Sequence, residues 1–265
     1  MSKVFSRGSV DEVFALKSVD LEVKPKDFIT LIGSNGSGKT TLLNIISGVF
    51  PPERGGKIVI SGKDITNLSE YRRASYVGRV YQDPQTGTAA NMTIEENLSL
   101  AILRGQARGL SIALNKKLRE QFHHALAPLG LKLEDRLKTP VGVLSGGQRQ
   151  ALALVMATLS HPSLLLLDEH ISTLDPNTAR SVLELTNMII QQEGMTAMMV
   201  THNMEIALNF GNRLVMMHKG KIIVDLDSEK KANLTFNDLI SAFERASGER
   251  FTDDNMLLSR TEYKE

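Results

Sequence analysis

Several residue types are scarce in this chain, and each shortage narrows what the protein can do. Its 265 residues include no cysteine, which excludes disulfide bonds, thiolate catalysis and thiolate metal sites and is compatible with the reducing cytosol. Tryptophan is absent and aromatic residues make up 5%, which argues against an exposed platform of rings for stacking bases. Lys and Arg number 31 against 30 Asp and Glu, so the basic excess typical of nucleic-acid binders is missing. We therefore expect no nucleic-acid partner.

Long apolar runs are lacking as well. Met1–Val10 has no apolar run of the kind found in signal peptides, and Leu164–Leu167 is far too short to cross a bilayer. We therefore expect the chain not to span a membrane by itself, although it can dock on a protein that does. With 42% hydrophobic residues along its length, one large domain with an inserted lobe is a natural expectation.

Strand patterns occur on both sides of a helical middle. Val19–Val23 alternates apolar with polar residues and predicts a half-buried strand, which is followed by a turn at Lys24–Asp27. Arg213–His218 and Lys221–Asp225 flank a glycine-containing turn and predict a hairpin. Further strands are predicted at Phe28–Ile32, Ile58–Ile60, Tyr76–Tyr81, Leu164–Leu167 and Met195–Val200.

The stretch from about Asp83 to Ser160 reads as helical. Its clearest apolar helix stripe repeats every four residues: Leu110, Leu114, Leu118, Phe122 and Leu126. Strands that alternate with helices imply an α/β fold with a mainly parallel sheet. The predicted division of the single domain is an α/β body at 1–82 and 161–227, a helical lobe at 83–160 and a tail at 228–265.

A glycine-rich loop joins the predicted strand Phe28–Ile32 to a predicted helix at Thr40–Ser47. It fits the phosphate-loop pattern: Gly33-Ser34-Asn35-Gly36-Ser37-Gly38-Lys39-Thr40. Glycines let the backbone turn so that consecutive N–H groups point at phosphate oxygens, and the helix start adds the positive end of its dipole. Lys39 would then reach the β- and γ-phosphates, and the Thr40 hydroxyl would ligate Mg²⁺. We predict Mg·ATP binding by this loop and by the next residue, Thr41.

A second short string also suggests an anion site. Leu144-Ser145-Gly146-Gly147-Gln148 precedes a helical stretch at Arg149–Leu159, and Ser145 is a plausible N-cap. An ordinary capped helix would explain the serine but not the paired glycines. These leave backbone N–H groups uncovered, so we predict that Ser145, Gly146, Gly147 and Gln148 contact nucleotide.

With the phosphate loop upstream and Leu164–Asp168 downstream, this string resembles the signature of the nucleotide-binding subunit of ABC transporters. The resemblance covers roughly residues 3–227 and implies a RecA-like phosphate-loop NTPase fold with a small antiparallel β part and an inserted helical subdomain. In that family two cassettes pair head to tail, with each ATP between one phosphate loop and the partner's signature. A second cassette, identical or related, is therefore expected, and its closure and reopening would be the power stroke.

The resemblance also assigns the hydrolytic residues. Asp168 matches the aspartate that holds Mg²⁺, and Glu169 the general base that polarises the attacking water. Gln82 matches the glutamine that contacts Mg²⁺ or the attacking water, and His202 the switch histidine that bridges the γ-phosphate and the catalytic glutamate. Asp175 matches an aspartate that contacts the opposite subunit, although it serves equally well as the N-cap of a helix that begins at Pro176.

Two positions fit the family less well. Phe5 resembles the aromatic that stacks on adenine, but Phe14 competes for that role and a core role for Phe5 is equally acceptable. After Asp168-Glu169 the family usually continues with Pro-Thr, whereas this chain has His170-Ile171. His170 could tune the pH dependence of the nearby chemistry, or simply give the loop a different conformation.

The leading interpretation is an ATPase that powers a transporter from the inner face of the cell membrane. Its partners would be a second cassette, a separate transmembrane permease and, for an importer, a substrate-binding protein, with amino acids as a possible cargo. Pro84–Met92 is small and flexible enough to line the groove that receives the permease. A soluble relative acting on ribosomes or DNA is the alternative, and a small-molecule kinase or GTPase is disfavoured by the signature.

Overall fold

A computed structural model describes residues 1–104 and 114–248. In chain order the strands are β1 (Lys3–Phe5), β2 (Val13–Leu16), β3 (Phe28–Ile32), β4 (Val59–Ile60), β5 (Lys63–Asp64), β6 (Val77–Val80), β7 (Leu164–Asp168), β8 (Ala197–Val200), β9 (Arg213–His218) and β10 (Lys221–Leu226). The helices are α1 (Lys39–Ser47), α2 (Glu70–Arg73), α3 (Pro84–Gly87), α4 (Ile94–Ile102), α5 (Lys116–Leu126), α6 (Gly146–Thr158), α7 (Pro176–Gln192), α8 (Met204–Asn209), α9 (Ser228–Ala232) and α10 (Phe236–Ser247).

The chain divides into two compact units. The first combines Met1–Glu70 with Gly194–Glu265, and the second is Tyr71–Glu193. In the first unit β3 pairs in parallel with β8 on one side and with β9 on the other, and β10 adds to β9 as an antiparallel edge strand. All five residues of β3 are buried, as expected of a strand inside a parallel sheet. The predicted parallel α/β arrangement and the β9–β10 hairpin are therefore confirmed.

The second unit joins a parallel strand pair to a helical core. Strands β6 and β7 pair in parallel, with Val77 opposite Leu164. The core of the helical part collects Phe122 and Leu126 from α5 with apolar residues of α4 and α6. The predicted stripe is thus partly confirmed: α5 begins only at Lys116, so Leu114 packs against the core from before the helix. Leu110 lies outside the described residues.

The strand predicted at Val19–Val23 is wrong. Its residues do alternate in burial, with Val19 only 2% exposed, but none of them belongs to a strand. The strand pairing in this part of the chain lies before Val19, where β2 pairs antiparallel with β1. Ala15 and Leu16 of β2 are buried in the core. Alternating burial therefore identified the buried face correctly, whereas the pairing depended on a partner strand that the local pattern does not reveal.

The tail carries structure that its mixed sequence did not predict. Leu239 and Phe243 on α10 pack with Met204, Leu214 and Met216 in one apolar cluster. Residues 249–265, the rest of the predicted tail, lie outside the described part. Within residues 1–104 and 114–248, no helix is both long and apolar enough to cross a membrane.

Candidate functional site

The glycine-rich loop has the backbone that a phosphate cradle requires. It connects the end of β3 to the start of α1, and Gly33 and Gly38 have φ values of +151° and +103°. A Cβ on Gly33 would lie 2.1 Å from the carbonyl oxygen of Met217, and one on Gly38 would lie 2.5 Å from that of Ala15. Both positions therefore exclude any side chain, for reasons of conformation and of space.

The Lys39 side chain bonds to the backbone of this loop. Its side chain is buried, and Nζ donates to the carbonyl oxygens of Gly33 at 2.6 Å and Ser34 at 3.1 Å. Gly38 caps α1 without a side-chain hydrogen bond, so no side chain covers the helix start. The buried Ser37 Oγ makes no hydrogen bond within the described part of the chain. An ammonium, a helix N-terminus and an orphan hydroxyl together suit a phosphate group.

The carboxylates predicted for hydrolysis follow one another at the end of β7. Asp168 is buried, and its Oδ2 accepts a hydrogen bond of 2.8 Å from Nη2 of Arg79 on β6. Glu169 is half-buried and has a left-handed φ of +48°, which costs a non-glycine residue about 1–2 kcal/mol. Ser172 holds this turn, because its Oγ and N both donate to the Glu169 carbonyl. Strained backbone of this kind is often retained where chemistry needs a fixed side-chain direction.

Magnesium fits the donors that the sequence assigned to it. Thr40 offers a hydroxyl, Gln82 an amide and Asp168 a carboxylate, and Mg²⁺ prefers oxygen ligands. Over residues 1–104 and 114–248 no cluster of three or more His, Cys, Asp or Glu side chains could hold a metal alone.

His170 anchors the loop that follows these carboxylates. Its side chain is fully buried, and Nε2 lies 3.0 Å from Oγ1 of Thr186 on α7. Because the Thr186 hydroxyl donates to the Val182 carbonyl, it accepts from His170, which places the imidazole proton on Nε2. Burial lowers the pKa of His170 to about 4, so the ring is neutral at neutral pH. Of the two interpretations of His170, the structure supports a role in loop conformation.

This buried histidine predicts a loss of stability in acid. Its pKa is about 4 in the folded state and about 6.5 when unfolded, so the unfolded chain takes up the proton first. His170 is thus expected to remove about 3 kcal/mol of unfolding free energy as pH falls from 6.5 to 4. Urea unfolding at several pH values should show a shallower decline for His170→Gln than for the parent. The exposed His124→Gln is the control, and equal slopes for parent and His170→Gln would contradict the prediction.

The signature string begins α6 with a capping box. Ser145 Oγ accepts from Gln148 N at 3.3 Å, and Ser145 N donates to Gln148 Oε1 at 3.2 Å. The helix begins at Gly146, three residues before the predicted start. Gly147 is buried, and a Cβ there would lie 2.3 Å from Cγ2 of Thr178, so packing on α7 requires this glycine. Ser145 and Gly146 are exposed and accessible to a ligand or a partner, and their contact with nucleotide stays a prediction.

Asp175 is confirmed as the N-cap of α7, which has Pro176 in its first turn. Its carboxylate accepts from Thr178 N at 3.1 Å, and hydrogen bonds to Thr178 lower its pKa. The preceding Leu174 lies next to Gly146, 3.3 Å from the Cβ that this glycine lacks. The signature and the Asp175 turn are therefore neighbours within the second unit, whereas the contact of Asp175 with another subunit stays a prediction.

The remaining predicted residues fall into both units. His202 is half-buried at the end of β8, which lies beside the strand that leads into the phosphate loop. Gln82 is exposed after β6, where Gln150 Nε2 of α6 donates to the Tyr81 carbonyl. These placements agree with the predicted positions at strand ends, although they leave the roles untested.

Phe5 has a packing partner. Its half-buried ring meets Phe50 edge-on with centroids 5.4 Å apart, and Lys3 Nζ lies 5.5 Å from its centre. The competing aromatic, Phe14, is 53% exposed. The contact with Phe50 supports a packing role, so stacking of either ring on adenine stays a prediction.

Arg79 also lies in this region, although no sequence motif pointed to it. Its only sequence signal is a charged residue in the middle of the apolar strand Val77–Val80, which is unusual enough to demand a buried partner. That partner, Asp168, lies 89 residues away along the chain.

The phosphate cradle between β3 and α1, in a parallel α/β fold, defines a phosphate-loop nucleoside triphosphatase. A sequence profile described as ABC transporter matches residues 16–172. The chain is 44% identical over 248 residues to the tyrosine transport ATP-binding protein of Clostridioides difficile, covering 93% of this chain and 97% of that protein. It is 33% identical over 229 residues to the methionine import ATP-binding protein MetN of Corynebacterium glutamicum, of which it covers 60%.

Solved structures agree with the fold. One is the dimeric post-hydrolysis state of an ATP-binding cassette bound to ADP and Pi, with a TM-score of 0.72, 26% identity and coverage of 86% of this chain and 96% of that one. Another is the ADP conformation of a cassette from an ABC transporter, with a TM-score of 0.75, 26% identity and 94% coverage of both chains. The chain belongs to the ABC transporter family and is an ATPase subunit of that family. The expected RecA-like phosphate-loop fold is confirmed.

Proposed function

We propose that the chain hydrolyses Mg·ATP in a head-to-tail pair of cassettes and so powers the import of an amino acid through a separate permease. The observation that carries the proposal is the pairing of two different anion-binding features in one chain. One is the closed cradle around Lys39, and the other is the exposed helix start at Ser145 and Gly146. A second cassette would supply the helix start that completes each cradle.

Each residue then has a defined task. The loop residues Gly33–Thr40 and Thr41 hold the triphosphate, and Lys39 exchanges its two loop carbonyls for phosphate oxygens. Thr40, Gln82 and Asp168 would hold the magnesium, which supplies charge neutralisation on the phosphates when bound. Glu169 accepts the proton of the attacking water as general base.

Four further groups complete the proposed site. His202 orients the γ-phosphate end of the nucleotide, and Phe5 or Phe14 packs on the adenine. The amides of Ser145 to Gln148 stabilise charge on the partner's triphosphate, and Asp175 contacts the partner cassette. Because these groups come from two chains, hydrolysis would require closure of the pair.

Importer function is supported by the relatives. The proteins named above are described as tyrosine transport and methionine import ATP-binding proteins, and both names refer to amino acids. We extend this to the present chain as a cytoplasmic subunit held on the inner face of the membrane by its permease, with a substrate-binding protein delivering the cargo. Purification from membranes tests the proposal, because a hydrophobic membrane protein should accompany the cassette. Co-purification with ribosomes, RNA or DNA instead would favour the alternative function.

The permease groove is proposed at Pro84–Met92, with one revision. The segment has more fixed structure than expected, because α3 is capped by Asp83 and the backbone N and O of Ala89 both bond to the Asn97 side chain. Ala90 remains exposed next to this fixed frame. A rigid surface with a small side chain suits the docking of a short helix or loop from a permease.

A large charged side chain at this surface is expected to uncouple transport from ATP hydrolysis. Ala90→Glu should reduce substrate uptake in reconstituted vesicles at least about tenfold, because the permease segment can no longer seat. ATP binding by the isolated cassette should stay at the parent level, since Ala90 is exposed. Ala89→Glu should behave alike, and Ser181→Glu on the exposed face of α7 is the matched control. Parent-level uptake with Ala90→Glu would place the groove elsewhere.

A further inference from the structure

The ion pair between Arg79 and Asp168 is buried in the second unit. Nη2 of Arg79 lies 2.8 Å from Oδ2 of Asp168, and the two side chains are 8% and 11% exposed. The two residues come from neighbouring parallel strands, so the sheet itself fixes their separation. The Arg79 guanidinium also lies over the ring of Tyr81, 4.7 Å from its centre, which restrains it on a second side.

A positive charge fixed at this place affects any cation that Asp168 binds. A buried carboxylate without a counter-charge is costly, and Arg79 supplies that charge. A carboxylate has acceptor positions on two oxygens, and the hydrogen bond from Arg79 Nη2 reaches Oδ2. Asp168 would still offer oxygen to a metal, but the nearby guanidinium would repel the metal ion.

We propose that Arg79 is a positioning residue that balances and orients Asp168 and makes metal binding depend on nucleotide. With Arg79 in place, Asp168 alone is a poor Mg²⁺ ligand, so the phosphates must supply the rest of the attraction. The cassette therefore does not take up Mg²⁺ without ATP. In the nucleotide-free cassette, the charges of Arg79 and Asp168 balance each other, and the end of β7 stays ordered. This inference rests on the proposed role of Asp168 in holding the metal.

The test measures metal binding directly. The probe is Mn²⁺, whose free concentration is followed by electron paramagnetic resonance in nucleotide-free protein. Arg79→Met is expected to bind Mn²⁺ about tenfold or more tightly than the parent, because the repelling charge is lost and Asp168 gains no other partner from the substitution. With ATP present, the Mg²⁺ concentration for half-maximal nucleotide binding should fall by a similar factor. Arg79→Lys, which keeps the charge, should stay close to the parent.

A control separates this role from simple loss of an ion pair. Arg119 pairs with the buried Glu95 at 2.7 Å in the same unit, so Arg119→Met also breaks a pair to a buried carboxylate. It should lower the melting temperature and leave both metal measurements unchanged. Metal binding by Arg79→Met equal to that of the parent, or altered equally by Arg119→Met, would overturn the inference.

Three further outcomes are decisive. If Arg79→Met does not fold, the double variant Arg79→Met/Asp168→Asn removes both charges and should recover the fold; a double variant that stays unfolded would also overturn the inference. If the parent itself shows no Mg²⁺-dependent ATP binding, the proposed function fails, rather than the part assigned to Arg79. If Arg79→Met binds ATP like the parent and with the same metal dependence, the role assigned to Arg79 is wrong. The proposed function is then unaffected.

Discussion

Glu169→Gln is expected to slow ATP hydrolysis by about 10²–10⁴-fold while leaving ATP binding intact. The substitution keeps the size and shape of the side chain but removes the carboxylate that would accept the proton of the attacking water. The main chain should tolerate the change, because Ser172 holds the left-handed turn through the Glu169 carbonyl, which the substitution leaves in place. Binding depends on the phosphate loop, which the substitution does not touch.

Two measurements check this result together. Phosphate release gives the hydrolysis rate, and equilibrium binding of a fluorescent ATP analogue gives the affinity. Sedimentation should in addition show a closed dimer of Glu169→Gln that accumulates with Mg·ATP, since the step that reopens the pair is blocked. Glu184→Gln, an exposed residue of α7 that pairs with Arg180, is the matched control and should hydrolyse ATP at the parent rate. If Glu169→Gln did so too, the general-base assignment would be withdrawn.

The parts of this site that the sequence predicted obey short-range rules. A glycine pattern requires a turn that only glycine can adopt, and Gly33 and Gly38 have the positive φ values that this implies. A serine or aspartate before a helical run predicts an N-cap, and Ser145 and Asp175 both cap their helices. The hairpin is similar, because Lys219 and Gly220 between β9 and β10 both take positive φ. Each rule depends on a few consecutive residues.

The parts that the sequence did not predict depend on distant partners. Nothing near Arg79 in the sequence indicates Asp168, because the two meet only once β6 and β7 pair. No role was predicted for Lys231 in the tail, where it is buried and donates to Thr30 Oγ1 and to the carbonyl of Gly211. Tertiary pairing decides these contacts, and local propensity carries no information about it.

Complementation between two inactive variants is the second large effect that we expect. Lys39→Ala removes the ammonium that closes the phosphate loop, whereas Ser145→Asp places a negative charge at the exposed signature. Aspartate is as good an N-cap as serine, so α6 should remain capped and the variant folded. Each variant alone should lose hydrolysis almost completely, the first through lost phosphate contacts and the second through repulsion of the partner's triphosphate.

A one-to-one mixture of the two variants should recover about one quarter of the parent rate, because half of the pairs are mixed and each mixed pair keeps one intact site. That site combines the phosphate loop of the Ser145→Asp chain with the signature of the Lys39→Ala chain. Recovery therefore requires that the two features act across chains, since sites built within one chain would be damaged in every molecule. A mixture no more active than its components would contradict the head-to-tail arrangement.

The lack of native cysteine allows an independent check. With Ser34→Cys in one chain and Ser145→Cys in the other, in a Glu169→Gln background, a short crosslinker should join the two chains when Mg·ATP is added. Without nucleotide the yield should fall several-fold, because closure of the pair requires a triphosphate between the loop and the signature. Since no other thiol is available, a crosslink can form only between these positions. Equal yields with and without nucleotide would show that ATP does not bring the two features together, and the proposed pairing would then be wrong.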